Sequence, residues 1–65
     1  MKLEELMAVI PDTQDIAVCC EGGYFVEVLA IYDGRNSIPV EYNGCRVSEV
    51  YEYDGYIRIV IDTER

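Results

Sequence analysis

The strongest constraint on this chain is a dipeptide. Asp54-Gly55 separates two runs, Val47 to Tyr53 and Tyr56 to Asp62, and both alternate apolar with polar residues. A two-residue Asp-Gly connection between such runs predicts a β-hairpin with a tight primed turn. Turn length fixes register, and register fixes faces, because side chains along a strand alternate with a period of two. Val50, Ile57, Ile59 and Ile61, with Ser48 and Glu52, are then expected on the core side. Glu49, Tyr51, Tyr53, Tyr56, Arg58 and Val60 fall on the other, with Tyr53 opposite Tyr56 and Tyr51 opposite Arg58.

That hairpin needs a cover. Leu3, Leu6, Met7 and Ile10 recur at helical spacing and predict a short helix from Lys2 to Val9. Glu4 and Glu5 lie off that stripe near the helix's positive end, where negative charge is favourable. Pro11 stops the helix because it lacks the amide hydrogen the next bond would use. Pro11-Asp12-Thr13 reads as a turn. A helix this short is unstable alone, so its apolar stripe is expected to pack on the sheet.

Between helix and last hairpin a second hairpin is legible. Ile16, Val18 and Cys20 alternate with Ala17 and Cys19, and Glu21-Gly22-Gly23 supplies a tight turn. The following strand, Tyr24 to Tyr32, has Glu27 as its only charge. Strict alternation places Tyr24, Val26, Val28, Ala30 and Tyr32 on one face and Phe25, Leu29 and Ile31 on the other. A strand apolar on both faces is expected to be central or to sit at an interface. Asp33-Gly34-Arg35-Asn36-Ser37 reads as a polar loop, and Asn43-Gly44 as a turn. Pro39 limits Ile38 to Tyr42 to an edge strand or an extended loop. The expected fold is therefore α+β, a single domain over residues 1–65: one short N-terminal helix packed on a small antiparallel sheet of about four strands built from β-hairpins.

Length sharpens the functional question. A chain of 65 residues buries only about 60% of the surface its unfolded form exposes. Its stability scales to roughly 3–10 kcal/mol, so pairing with a second copy would matter. Any function is expected on a surface, a hairpin tip or an oligomer interface. Thirteen acidic residues against five basic ones give a net charge of -8. That charge disfavours nucleic acid and anionic membrane as direct partners and favours a basic one. The carboxylates are spread from Glu4 to Glu64, as on the outer faces of a folded domain. With no membrane-length apolar run and no signal-peptide core, a cytoplasmic location is expected.

Little in the chain suggests catalysis. Histidine is absent and Lys2 is the only lysine, so no base is evident to activate Cys19, Cys20 or Cys45. The three cysteines form no paired framework and no C-x-x-C, and they are expected as free thiols in apolar surroundings. Gly22-Gly23 lacks phosphate-loop spacing, and the Asp33 loop lacks the pattern of a calcium loop. No enzymatic activity, cofactor or metal is expected.

The aromatic choice is the informative feature: six tyrosines, one phenylalanine and no tryptophan. Tyrosine joins apolar area to a polar handle and is enriched where proteins touch partners. Cross-strand aromatic pairs also stabilise a hairpin by themselves, by about 0.2–1 kcal/mol each. The candidate partner-binding set is Tyr51, Tyr53, Tyr56 and Arg58, with Glu49, Glu52 and Asp54 at its edge.

The opening, Met1-Lys2-Leu3-Glu4-Glu5-Leu6-Met7-Ala8-Val9-Ile10-Pro11-Asp12, and the closing alternation Tyr56-Ile57-Arg58-Ile59-Val60-Ile61 resemble short uncharacterised acidic proteins of phages and mobile elements. The motif is structural and carries no functional residue across. The resemblance implies a setting, since such proteins include anti-defence (anti-CRISPR-like) inhibitors, some of which mimic nucleic acid, and others that bind nucleotide signals. Three expectations follow. One is a protein-binding module that occupies a basic groove of a nucleic-acid-handling host defence protein. Another is a homo-oligomer whose tyrosines and Arg35, Arg46 or Arg58 sequester a small anionic, nucleotide-like ligand. The third is a structural or accessory protein with no ligand.

Overall fold

The computed structural model describes residues 1–22 and 25–63. Gly23 and Tyr24, from the expected first turn and the strand after it, lie outside the described residues. The elements are helix α1 (Leu3–Met7), strands β1 (Ile16–Gly22) and β2 (Phe25–Tyr32), a 3-10 turn (Val40–Tyr42), and strands β3 (Arg46–Tyr53) and β4 (Tyr56–Asp62). The fold is α+β.

The sheet is mixed, in the order β2-β1-β4-β3. β1 pairs antiparallel with β2, and β3 with β4, while the inner strands β1 and β4 run parallel, Ile16 beside Ile57 and Cys19 beside Val60. The expectation of a wholly antiparallel sheet is therefore corrected. The reason lies in the connection from Asp33 to Cys45, which joins the two outer strands. Its Ile38, Tyr42 and Cys45 pack against the core on the helix side. The second hairpin is thereby laid beside the first with like-directed inner strands.

Helix α1 is shorter than the spacing suggested, and its stripe packs as expected. Leu3 is fully buried with Ile16, Val18, Ile59 and Ile61, and Leu6, Met7, Ile10, Val47 and Ile57 pack around them. The Lys2 amide donates to the Glu5 side chain at 2.8 Å, satisfying one of the donors that a helix start leaves unpaired. The chain before the helix also runs along β3: Val47 N donates to Met1 O at 2.8 Å and Leu3 N to Cys45 O at 2.9 Å. Val50, expected in this core, is 48% exposed; Val47, partly buried, is the residue of that strand that packs against the core.

Two bulges reset the faces. In β3 the register slips between Val47 and Glu49, and Ser48 donates its hydroxyl to Val60 O at 3.1 Å instead of entering the core. In β2 the register slips where Val18 faces Ala30 and Cys19 faces Val28, leaving Leu29 as the extra residue. The strict alternation expected of β2 is thereby broken. Val26, Val28 and Ile31 share the side of Ala17 and Cys19, while Ala30 and Tyr32 pack with Leu29 on the helix side. β2 is also an edge strand, not a central one. The segment Ile38 to Tyr42, open between an edge strand and a loop, contains the 3-10 turn and no strand.

Candidate functional site

The helix and the long connection both lie on one side of the sheet, so the other side has no second layer among the described residues. Three small or medium side chains are nevertheless fully covered there: Ala17, Cys19 and Val60. Their cover comes from the sheet itself. Tyr51, Tyr56 and Val26 pack against them as partly buried neighbours.

The last hairpin positions these tyrosines. Asp54 and Gly55 both adopt positive φ, 53° and 82°, the geometry that matches a two-residue turn to the twist of its strands. Tyr53 then stands opposite Tyr56, Tyr51 opposite Arg58 and Glu49 opposite Val60. Arg58 occupies the middle of the open face, with Ala17 of β1 on one flank and Tyr51 of β3 on the other. Its guanidinium carbon lies 4.5 Å from the centre of the Tyr53 ring, a cation–π contact that suits a half-covered cation. The Arg58 Nε is buried and has no hydrogen-bond partner.

The arginine also reaches Cys19. Burial pushes that thiol above its ordinary range, and the positive charge and hydrogen bonding of Arg58 oppose the shift without cancelling it. Cys19 is thus a neutral, enclosed thiol that donates weakly to Ala17 O, with no thiolate character of the kind nucleophiles need. Cys20 and Cys45 are half-buried, and all three thiols are free.

Of the candidate residues, Tyr51, Tyr53, Tyr56, Arg58 and Glu49 come together on the open face, and Asp54 sits at its hairpin tip. Glu52 does not join them: it stands opposite Ile57, on the helix side, at the outer edge of β3. Sequence reasoning missed the contribution of β2. Val28 and Ile31, 41% and 46% exposed, extend the apolar floor beyond Ala17 and Cys19. Only the bulge at Leu29 brings both to this face, and no glycine or proline marks it. With Tyr53 at 59% exposure, the face offers apolar and aromatic surface from one edge to the other. Glu21, Glu49 and Asp62, by their register, lie on the same side toward its far end.

Arg35 and Arg46 stand apart from this centre. Arg35 is tied into the loop after β2, where its side chain pairs with Asp33 at 3.2 Å. The Asp33 carboxylate also accepts from the Arg35 and Asn36 amides, and these bonds, the Arg35 amide first, hold its pKa below the usual value. Arg46 stands opposite Asp62, at the end of β4 away from Tyr56. Among the described residues no group of three or more Cys, Asp or Glu side chains is placed to hold a metal ion. Among them, too, no helix is long and apolar enough to cross a membrane. No protein-family model, curated protein sequence or solved structure matches the chain.

Proposed function

We propose that this chain is a small non-catalytic binding module that holds a basic protein surface against the open face of its sheet. The observation that carries this reading is the pairing of an uncovered apolar and tyrosine floor with an acidic surround. Val28, Ile31 and Tyr53 are exposed on the floor, and the molecule bears a net charge of -8. An apolar centre supplies binding energy, while surrounding carboxylates steer a partner of opposite charge and set the salt response. The central Arg58, half-buried and stacked on Tyr53, adds a requirement, because a guanidinium favours a partner that presents a carboxylate or backbone carbonyl at its middle.

The setting we propose, from the resemblance of the opening and closing segments, is inhibition of a nucleic-acid-handling host defence protein by occupation of its basic groove. Sequestration of an anionic nucleotide-like ligand has less support, because Arg35, Arg46 and Arg58 are not gathered in one protomer.

The test begins by immobilising the protein, identifying what it retains, and purifying that partner. Its affinity is then measured for wild type, Tyr53→Ala, Ile31→Ala and Val9→Ser, the last a control at a position 75% exposed outside the sheet. The reading expects losses with the first two variants only, and weaker binding at higher salt. A partner that ignores the open-face variants, or binds independently of salt, overturns it.

A further inference from the structure

The two edges of this sheet are treated very differently. β3 carries three charged residues, Arg46, Glu49 and Glu52, and its first half is overlaid by the N-terminal segment through the Lys2–Arg46 bridge and the Met1–Val47 bond. Charge and covering are the devices by which soluble proteins prevent an edge strand from pairing with another chain. β2 has neither. Its sequence, FVEVLAIY, contains one charged residue and no proline, and no backbone bond joins its outer side to another segment among the described residues. Both edges contain a bulge, at Leu29 and at Ser48, so bulging does not distinguish them.

We propose that the bare β2 edge docks a second copy of this chain, with the two β2 strands pairing antiparallel about a two-fold axis normal to the sheet. The charge distribution, the closure of the symmetry and the exposed apolar residues select a second copy over another occupant. First, β2 holds only one of the chain's thirteen acidic residues, Glu27, so it is where two acidic molecules repel each other least. Second, an antiparallel self-pairing is isologous and closes after two copies, which satisfies the open edge without building a fibre. Third, an axis normal to the sheet keeps the open faces of both copies on the same side. Val28 and Ile31, each more than 40% exposed in one copy, then meet their counterparts across the new strand pair and lose water-exposed apolar area. The assembly stands whether or not the open face binds a basic partner.

The experiment uses the whole chain under reducing conditions. Sedimentation equilibrium across a concentration series is expected to show the mass doubling and then levelling at the dimer. Backbone hydrogen exchange, compared between the monomeric and dimeric ends of that series, is expected to show β2 amides gaining protection while β3 amides do not change. Ile31→Lys places a charge on the edge and is expected to abolish the dimer while the domain still melts cooperatively. Should that variant fail to fold, the wild-type exchange comparison still decides. A clean monomer at high micromolar concentration overturns the proposal. So does a dimer whose β2 amides exchange equally fast at both concentrations, because that pattern means face-to-face packing. An open-ended oligomer that protects β3 as well as β2, or an extended peptide co-purifying in place of the second copy, overturns it too.

Discussion

Arg58 lays its guanidinium over the ring of Tyr53, one strand across and diagonally along the hairpin, with 4.5 Å between Cζ and the ring centre. This contact stacks a cation on an exposed aromatic ring, an arrangement worth about 0.5–1 kcal/mol at an exposed site. It also keeps the central cation of the open face partly screened. Because Arg58 reaches Cys19 as well, one side chain links the exposed tyrosine, the covered thiol and the inner strand pair.

The first prediction concerns the core. Leu3 is fully buried under the sheet, whereas Val50, on the same side, is 48% exposed. Leu3→Ala is expected to lose about 2–5 kcal/mol, close to the whole stability of so small a domain. Val50→Ala is expected to lose less than about 1 kcal/mol, since little buried area disappears. Urea denaturation of both variants checks this, and equal losses would place the helix elsewhere.

A second prediction concerns the turn. Gly55 has φ +82° and nothing within 4 Å of an added Cβ, so the cost of a side chain there is conformational and not steric. Gly55→Ala is expected to destabilise by about 1 kcal/mol or more. Gly44→Ala meets the same open space without a positive φ and is expected to be neutral or slightly stabilising. Reversal of that order in thermal melts would mean that the hairpin does not close at Asp54-Gly55.

The pH response of Cys19 gives a third. Burial raises its pKa from 9.0, so above that value the unfolded chain releases the proton while the folded one still holds it. Stability contributed by the neutral thiol is full below the unfolded pKa and falls as pH rises through the folded value. The stability advantage of wild type over Cys19→Ala is therefore expected to narrow as pH is raised past 9. Denaturation at a series of pH values checks it, and an advantage that widens would show a thiolate stabilised by Arg58 instead.

How much of this was legible in the sequence depends on where local rules decide. The last hairpin was readable because Asp54-Gly55 sets register by turn geometry alone, and the pairs Tyr53–Tyr56 and Tyr51–Arg58 follow from it. The helix stripe was readable because Leu3, Leu6, Met7 and Ile10 recur at its period. The parallel pairing of β1 with β4 was not, since it depends on how residues 33–45 cross the sheet and no pattern within either strand encodes that. The face of β2 was misread for a similar reason. Leu29 bulges without a glycine, and every residue before it changes sides relative to those after it. The candidate site lacks Val28 and Ile31 for that reason, whereas the separation of Glu49 from Glu52 follows from the Asp54-Gly55 register and was legible.

The last prediction uses that separation to test the binding face. Glu49 and Glu52 are both exposed carboxylates on β3, close in sequence and equal in charge, yet Glu49 lies on the open face and Glu52 on the helix side. If the open face carries a basic partner, Tyr53→Ala should weaken binding by about 1–3 kcal/mol, on the scale of an interface hot spot, while the domain remains folded. Glu49→Gln should slow association and flatten its salt dependence, because a rim charge acts mainly on encounter. Glu52→Gln removes the same charge from the opposite side, and its effect on association should be clearly smaller. Association rates at two ionic strengths, with melting curves on the same samples, separate the contributions. Equal effects of the two glutamates would mean that only net charge matters and that the open face has no part in orientation. A larger effect at Glu52 would move the contact to the helix side. Loss of binding that follows loss of folding in every variant would remove the case for a binding face and leave the tyrosines as hairpin structure alone.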